Sequence, residues 1–348
     1  MTTYLWGTGF DTGLHVNSAD LSGEGLYCDT DIKKTGAASL ACHTGTVPGS
    51  WVRHTLAVAQ PSVSVYIYPL DQYDYTSTDK EAVFPNVMFS LGEVYQIVAR
   101  WNGYTHTMDL YLRYVPPIGA IVNTLLASGT IEVSQNDFFN FQMWVSTTFI
   151  AIKIDGHLSI NYAGSAPAGY GYDYCYLWGG RYALVGGYGV RTRFDDWVIG
   201  ENGWLGSMGV DELLPTADST VQFTPIGGLT NVEEINEVVA NDATYNYAIT
   251  NGLADKFEIA PFDEYTAEGI LKHIVAVEGI ARMEIDAATG DSGKVQLVSN
   301  SIIVGTTHPL ATAYEHYYHI AEVDPNTDLP WTPDAVRAVL LRYEAVIA

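Results

Sequence analysis

The adjacent carboxylates Asp195 and Asp196, in RFDDWVIG, are the first side chains in this sequence whose types could do chemistry. On an extended strand, alternation sends one to each face, and carboxylates with backbone carbonyls are the oxygen donors that calcium requires. Asp11 can join one of them, because the first and last strands of a sandwich often lie side by side. A structural calcium between Asp11 and Asp196 is therefore the metal expectation, with plain surface carboxylates as the alternative.

Aromatic residues form the second group. YGYDYCYLWGG brings Tyr170, Tyr172, Tyr174 and Trp178 together, and Tyr73 and Tyr75 add further rings upstream. Rings of this kind can stack on sugars, so Tyr172, Tyr174 and Trp178 are candidate glycan-binding residues; tyrosine also favours strands for packing alone.

Two further clusters carry weaker chemistry. A sandwich glucanase needs paired carboxylates about 5 to 5.5 Å apart. Glu284 and Asp286 in MEIDAATGD begin the E-x-D-x-x-E spacing on one strand face, but position 289 is Thr, so hydrolysis is disfavoured. His316 and His319 in YEHYYHI, near Glu315 and Glu322, have metal-ligating types. Their odd separation puts the imidazoles on opposite strand faces, which favours an ordinary satisfied pair. GxxxxGK[ST] is absent, and GGYGVRTRF opens no helix, so its glycines read as turn residues rather than a phosphate cradle.

The elements that must position these groups are strands. Short apolar runs recur between turn signals over residues 38–42, 63–68, 94–101, 108–114, 138–145 and 149–154. In SVSVYIYP, Val63, Val65 and Ile67 fall on one face and Ser64, Tyr66 and Tyr68 on the other. Asp155-Gly156 supplies the positive backbone angles of a two-residue hairpin turn. Further strands are expected over 270–277, 280–286, 294–299 and 317–323. Near the end Thr332 can cap a helix with Pro333 in its first turn, while part of that tail can form a last strand.

Composition supports this reading. The sequence has 33 Gly and 24 Tyr, is 47% hydrophobic and has a mean hydropathy of +0.05, values that fit a folded, strand-rich chain. The expected class is all-β: two β-sandwich jelly-roll domains in tandem, 1–203 and 204–348, with little helix. The boundary falls where the tryptophan-rich region ends and glycines interrupt the pattern.

Forty acidic against 16 basic residues give a net charge of −24, which disfavours contact with nucleic acid. No apolar stretch is long enough to span a bilayer, so no membrane insertion is expected. The start MTTYLWGTGFDTG has neither the basic nor the apolar region of a signal peptide. Cys28, Cys42 and Cys175 are too few for a disulfide framework and are expected to be free thiols.

The order GAASLACHTG, VSVYIYP, FIAIKIDGHL and TRFDDWVIGENG resembles the concanavalin A-like, laminin-G-like jelly rolls common in phage virion proteins. WLGSMGVDELLPTADSTVQFTP, TYNYAITNGLADKFEI, IVAVEGIARMEIDAATGDSGKVQLVSNS and AEVDPNTDLPWTPDAVRAV resemble a tail- or fibre-associated domain of tailed phages. The resemblance implies a non-enzymatic virion component, made in the host cytoplasm: a minor tail, fibre-associated or capsid-decoration protein. Its partners would be other virion proteins and copies of itself. The alternative is a host-surface glycan or receptor-binding protein, with a glycan-degrading enzyme the least favoured.

Overall fold

Alternating apolar runs separated by turn residues become antiparallel strands along most of the chain. The computed structural model describes residues 3–10, 21–22, 26–29, 33–34, 39–43, 51–69, 86–92, 94–102, 105–134, 136–168, 170–179, 191–227, 229–236, 244–266, 271–286 and 290–347. The chain divides into two units, Met1–Asp211 and Glu212–Ala348. The fold is all-β and antiparallel, as expected, with one short helix among the described residues.

The strands of the first unit are β1 (Thr3–Thr8), β2 (Leu21–Ser22), β3 (Leu26–Asp29), β4 (Ser39–His43), β5 (Trp51–Thr55), β6 (Pro61–Pro69), β7 (Asn86–Leu91) and β8 (Tyr95–Asn102). They continue with β9 (Thr107–Tyr114), β10 (Val122–Ala127), β11 (Phe139–Val145), β12 (Ile150–Ile154), β13 (His157–Tyr162), β14 (Tyr172–Trp178) and β15 (Arg191–Glu201). One sheet runs β13-β12-β11-β6-β15-β4-β3, with β1 also paired to β15; the other runs β10-β9-β8-β7-β14-β5-β2. Sequence-distant strands are neighbours in both, as in a jelly roll.

Alternation supplies the core between these sheets. Val63, Val65, Ile67, Phe141 and Phe194 from one sheet and Val87, Phe89, Ile97, Cys175 and Leu177 from the other are buried. Each such aliphatic or aromatic side chain contributes about 1.5–3 kcal/mol by leaving water. Trp6 of β1 stacks on His54 of β5 at 4.4 Å and meets Trp197 edge-on at 4.9 Å. Cys42 and Cys175 are free and buried, and burial raises both thiols far above their ordinary range. Cys28 has no described side chain.

The β12–β13 hairpin turns at Asp155 and Gly156, both with positive φ (47° and 80°), as the sequence predicts. The division into units falls a little past 203/204 because Gly206 and Val210 return to the first sandwich. Ser64 donates to the Gly206 carbonyl, Gly206 N–H donates to Gln142, and Val210 N–H donates to Asp196.

The second unit contains β16 (Pro215–Thr220), β17 (Thr224–Pro225), β18 (Asn246–Tyr247), β19 (Ala254–Ile259), β20 (Val277–Met283), β21 (Ser292–Ser299), β22 (Ile302–Pro309), β23 (Glu315–Ala321), α1 (Pro333–Ala338) and β24 (Leu340–Val346). A five-stranded sheet runs β16-β19-β24-β21-β22, and β20 pairs with β23. The two layers meet closely at Gly279, where a Cβ would lie 3.0 Å from Leu341.

Residues 272–276 are not in a strand; β20 begins at Val277 and so straddles the two runs expected over 270–277 and 280–286. Thr332 caps α1 by accepting from Ala335 N–H at 3.2 Å, and the tail after Val339 becomes β24. DPNTDLPWT is structural: Asp324 accepts from Asn326 N–H and the Thr327 hydroxyl, while Trp331 fills the core and donates to the Ala321 carbonyl.

Candidate functional site

The aromatic segment YDYCYLW is β14, a central strand of the seven-stranded sheet. Cys175 and Leu177 enter the core, so Tyr174, Tyr176 and Trp178 take the outer face. Tyr172 breaks the series. A register shift between Tyr172 and Tyr174 against β7 resets the alternation, and Tyr172 lies edge-on against the core ring of Phe89 at 6.1 Å. It is 8% exposed, and burial raises its hydroxyl well above the ordinary range. The bulge thus sets Tyr172 against Phe89, apart from the outward row of Tyr174 and Trp178.

Register places the neighbours of β14 on the same outer face. Tyr176 stands opposite Arg53 on one side and Met88 on the other, Met88 opposite Val98, and Val98 opposite Tyr111. Trp178 stands opposite Trp51. Met88, Val98 and Tyr176 form a small apolar floor, with Trp51, Tyr111, Tyr174 and Trp178 half-buried around it. From β5 to β9 this row crosses four strand spacings, about 19 Å.

Arginines interleave with the rings. The Arg53 guanidinium lies 3.8 Å from the Tyr174 ring centre, Arg100 lies 4.0 Å from Tyr111, and Arg113 lies 5.2 Å from Trp178. Arg53 also donates to the Tyr176 hydroxyl at 3.4 Å. Asp109 on this face accepts from Asn102 at 2.8 Å and Gly129 N–H at 3.4 Å, and Asp173 stands at the bulge of β14 beside Tyr174.

Tyr174 and Trp178 were legible from the sequence as aromatic candidates; Trp51, Tyr111 and the three arginines were not. The signal that could have found them is an aromatic and an arginine two residues apart, in WVR at 51–53 and YLR at 111–113. Such spacing puts both on one strand face. Tyr170 is 41% exposed and meets Tyr95 edge-on at 5.1 Å, outside the row. Tyr73, Tyr75 and Asp11 lie outside the described residues.

Asp195 and Asp196 do not alternate across β15. A bulge between Asp195 and Val198 gives Asp196 a φ of 48°, and both residues are fully buried. Asp195 accepts from Lys34 N–H at 2.7 Å and Asp196 N–H at 2.9 Å; Asp196 accepts from Val210 N–H at 2.8 Å. These bonds tie loops to the sheet. The described residues contain no group of three or more acidic, histidine or cysteine side chains that could hold a metal.

The outer face of the eight-stranded sheet is engaged by its own chain. Ser64, Asn140 and Gln142 form a polar network to Gly206, and Trp204 packs on Trp144 at 5.8 Å. This explains why Ser64 is buried although alternation assigns it to the solvent side.

In the second unit, Glu284 and Asp286 follow the end of β20 at Met283, so they do not share a strand face. His319 is hydrogen-bonded to Thr306 at 3.0 Å, and His316 stands opposite Arg282 across β20–β23.

No protein-family model and no curated protein matches the sequence. Among solved structures the chain is similar to a carbohydrate-binding module, CBM66, from Bacillus subtilis, with 10% identity over 53% of this chain and 96% of that one and a TM-score of 0.35. It is similar to domain 4 of the extracellular arabinanase AbnA from Geobacillus stearothermophilus, with 14% identity over 59% and 94% and a TM-score of 0.40. It is also similar to the laminarinase catalytic domain of Thermotoga maritima, with 10% identity over 58% and 99% and a TM-score of 0.39. Likenesses at this level leave ligand and reaction open.

Proposed function

We propose that the first unit binds a glycan on the outer face of its seven-stranded sheet. The observation that carries this reading is the row of half-buried rings, Trp51, Tyr174, Trp178 and Tyr111, set around an apolar floor with arginines between them. Apolar ring faces with a few fixed polar groups are how concave sites hold and orient a ligand. Stacking would supply affinity and the guanidinium groups orientation.

The reading is one of binding rather than hydrolysis. A glycosidase of the two-carboxylate kind needs a facing pair, and Asp109 on this face is already held by Asn102. The sequence resemblance alone supports placement in a virion and assembly with other virion proteins or further copies; a glycan-binding face suits a particle component that meets a host surface.

A glycan array followed by calorimetry tests the proposal. Trp178→Ala is expected to weaken binding about 30-fold, as for removal of a central aromatic anchor worth about 2 kcal/mol. Trp144→Ala, on the opposite sheet, is expected to leave affinity unchanged. Absence of glycan binding by the intact chain, or equal losses in both variants, rejects the assignment.

A further inference from the structure

The charge on the aromatic face runs against the composition of the chain. The sequence holds 40 acidic and 16 basic residues, yet this face gathers the three arginines Arg53, Arg100 and Arg113 among its rings. Arg113 is the informative member. Its Nε is buried without a hydrogen-bond partner among the described residues, and its guanidinium lies beside Trp178. Desolvation and the nearby positive charge of Arg100 both destabilise its charged form. A buried donor left unpaired is costly.

Trp178 supplies an indole face 5.2 Å from that guanidinium. A guanidinium presents parallel N–H groups that match the two oxygens of a carboxylate, a geometry that an ammonium or a hydroxyl does not reproduce. The chain's overall negative charge does not prevent such contact, because at physiological salt charges more than about 8 Å away are largely screened.

Resting on the glycan reading above, we infer that the ligand is an acidic glycan and that Arg113, beside Trp178, receives the carboxylate of a uronic acid unit. Arg53 and Arg100 lie on either side of the apolar floor and favour the same charge further along the chain of sugars.

The test compares polygalacturonate and alginate with the same polymers after reduction of their carboxylates to primary alcohols, with laminarin as a neutral glycan. The full-length protein is expected to bind a native uronan at least about tenfold more tightly than its reduced form, as loss of a charge-assisted hydrogen bond implies. Sodium chloride should weaken the first interaction more than the second. Arg113→Gln is expected to bring the native-to-reduced affinity ratio close to one, with folding checked by the tryptophan melting transition. Should that variant fail to fold, the salt titration of the unmodified protein decides. Equal, salt-independent binding to native and reduced polymers, or binding to laminarin alone, overturns the acidic-ligand inference while leaving glycan binding intact; binding to none overturns both.

Discussion

His54 makes a quantitative prediction about acid stability. Its imidazole stacks on Trp6 at 4.4 Å inside the first sandwich, and burial lowers its pKa from 6.5 to about 4. The folded state therefore holds a neutral histidine that the unfolded chain protonates more readily. Between pH 6.5 and 4 the unfolded state binds more protons, so stability falls as pH falls through that window and is fully present above it. A displacement from 6.5 to about 4 corresponds to about 3 kcal/mol when complete.

For a unit of this size, that amounts to roughly 6–12 °C in Tm. Seven of the eight tryptophans, Trp6 to Trp204, lie in the first unit, so tryptophan fluorescence of the full chain reports its unfolding. Carboxylates also titrate in acid, so the informative quantity is the difference between the unmodified protein and His54→Phe, which keeps a ring against Trp6 without a titrating group. That difference should change by about 3 kcal/mol in favour of the variant on going from pH 7 to pH 4. Parallel stability curves for the two proteins would refute the assignment of a neutral imidazole in the folded state.

Gly156→Ala should cost about 1–2 kcal/mol, measured by urea titration, because φ is 80° there while a Cβ meets nothing within 4 Å; an unchanged midpoint would mean the turn relaxes. A calcium ion held by Asp11 and Asp196 should make the first unit's melting temperature fall on chelation and recover on adding calcium. Identical melting curves with and without chelator would remove that metal expectation.

Local order was legible wherever neighbouring residues decide it. Asp155-Gly156 dictates a tight turn because few residue pairs accept two positive φ angles, and Thr332-Pro333 starts a helix because both act within a single turn. The apolar alternation of Val63, Val65 and Ile67 likewise places those side chains in the core. Positions where a bulge resets alternation were not legible. Tyr172 and Asp196 both lie beside such a shift, and one extra residue in a strand reverses every side-chain direction derived by counting.

The candidate face is a tertiary product. YGYDYCYLWGG announced Tyr174 and Trp178, but their surroundings come from β5, β7, β8 and β9, brought beside β14 by sheet pairing. Thus Trp51 stands opposite Trp178, and Arg113 reaches the indole across strands far from it in sequence. Side-chain periodicity belongs to each strand and can be read locally. Strand order and register depend on which faces can share a core, so only the folded sheet decides which rings and which charges become one surface.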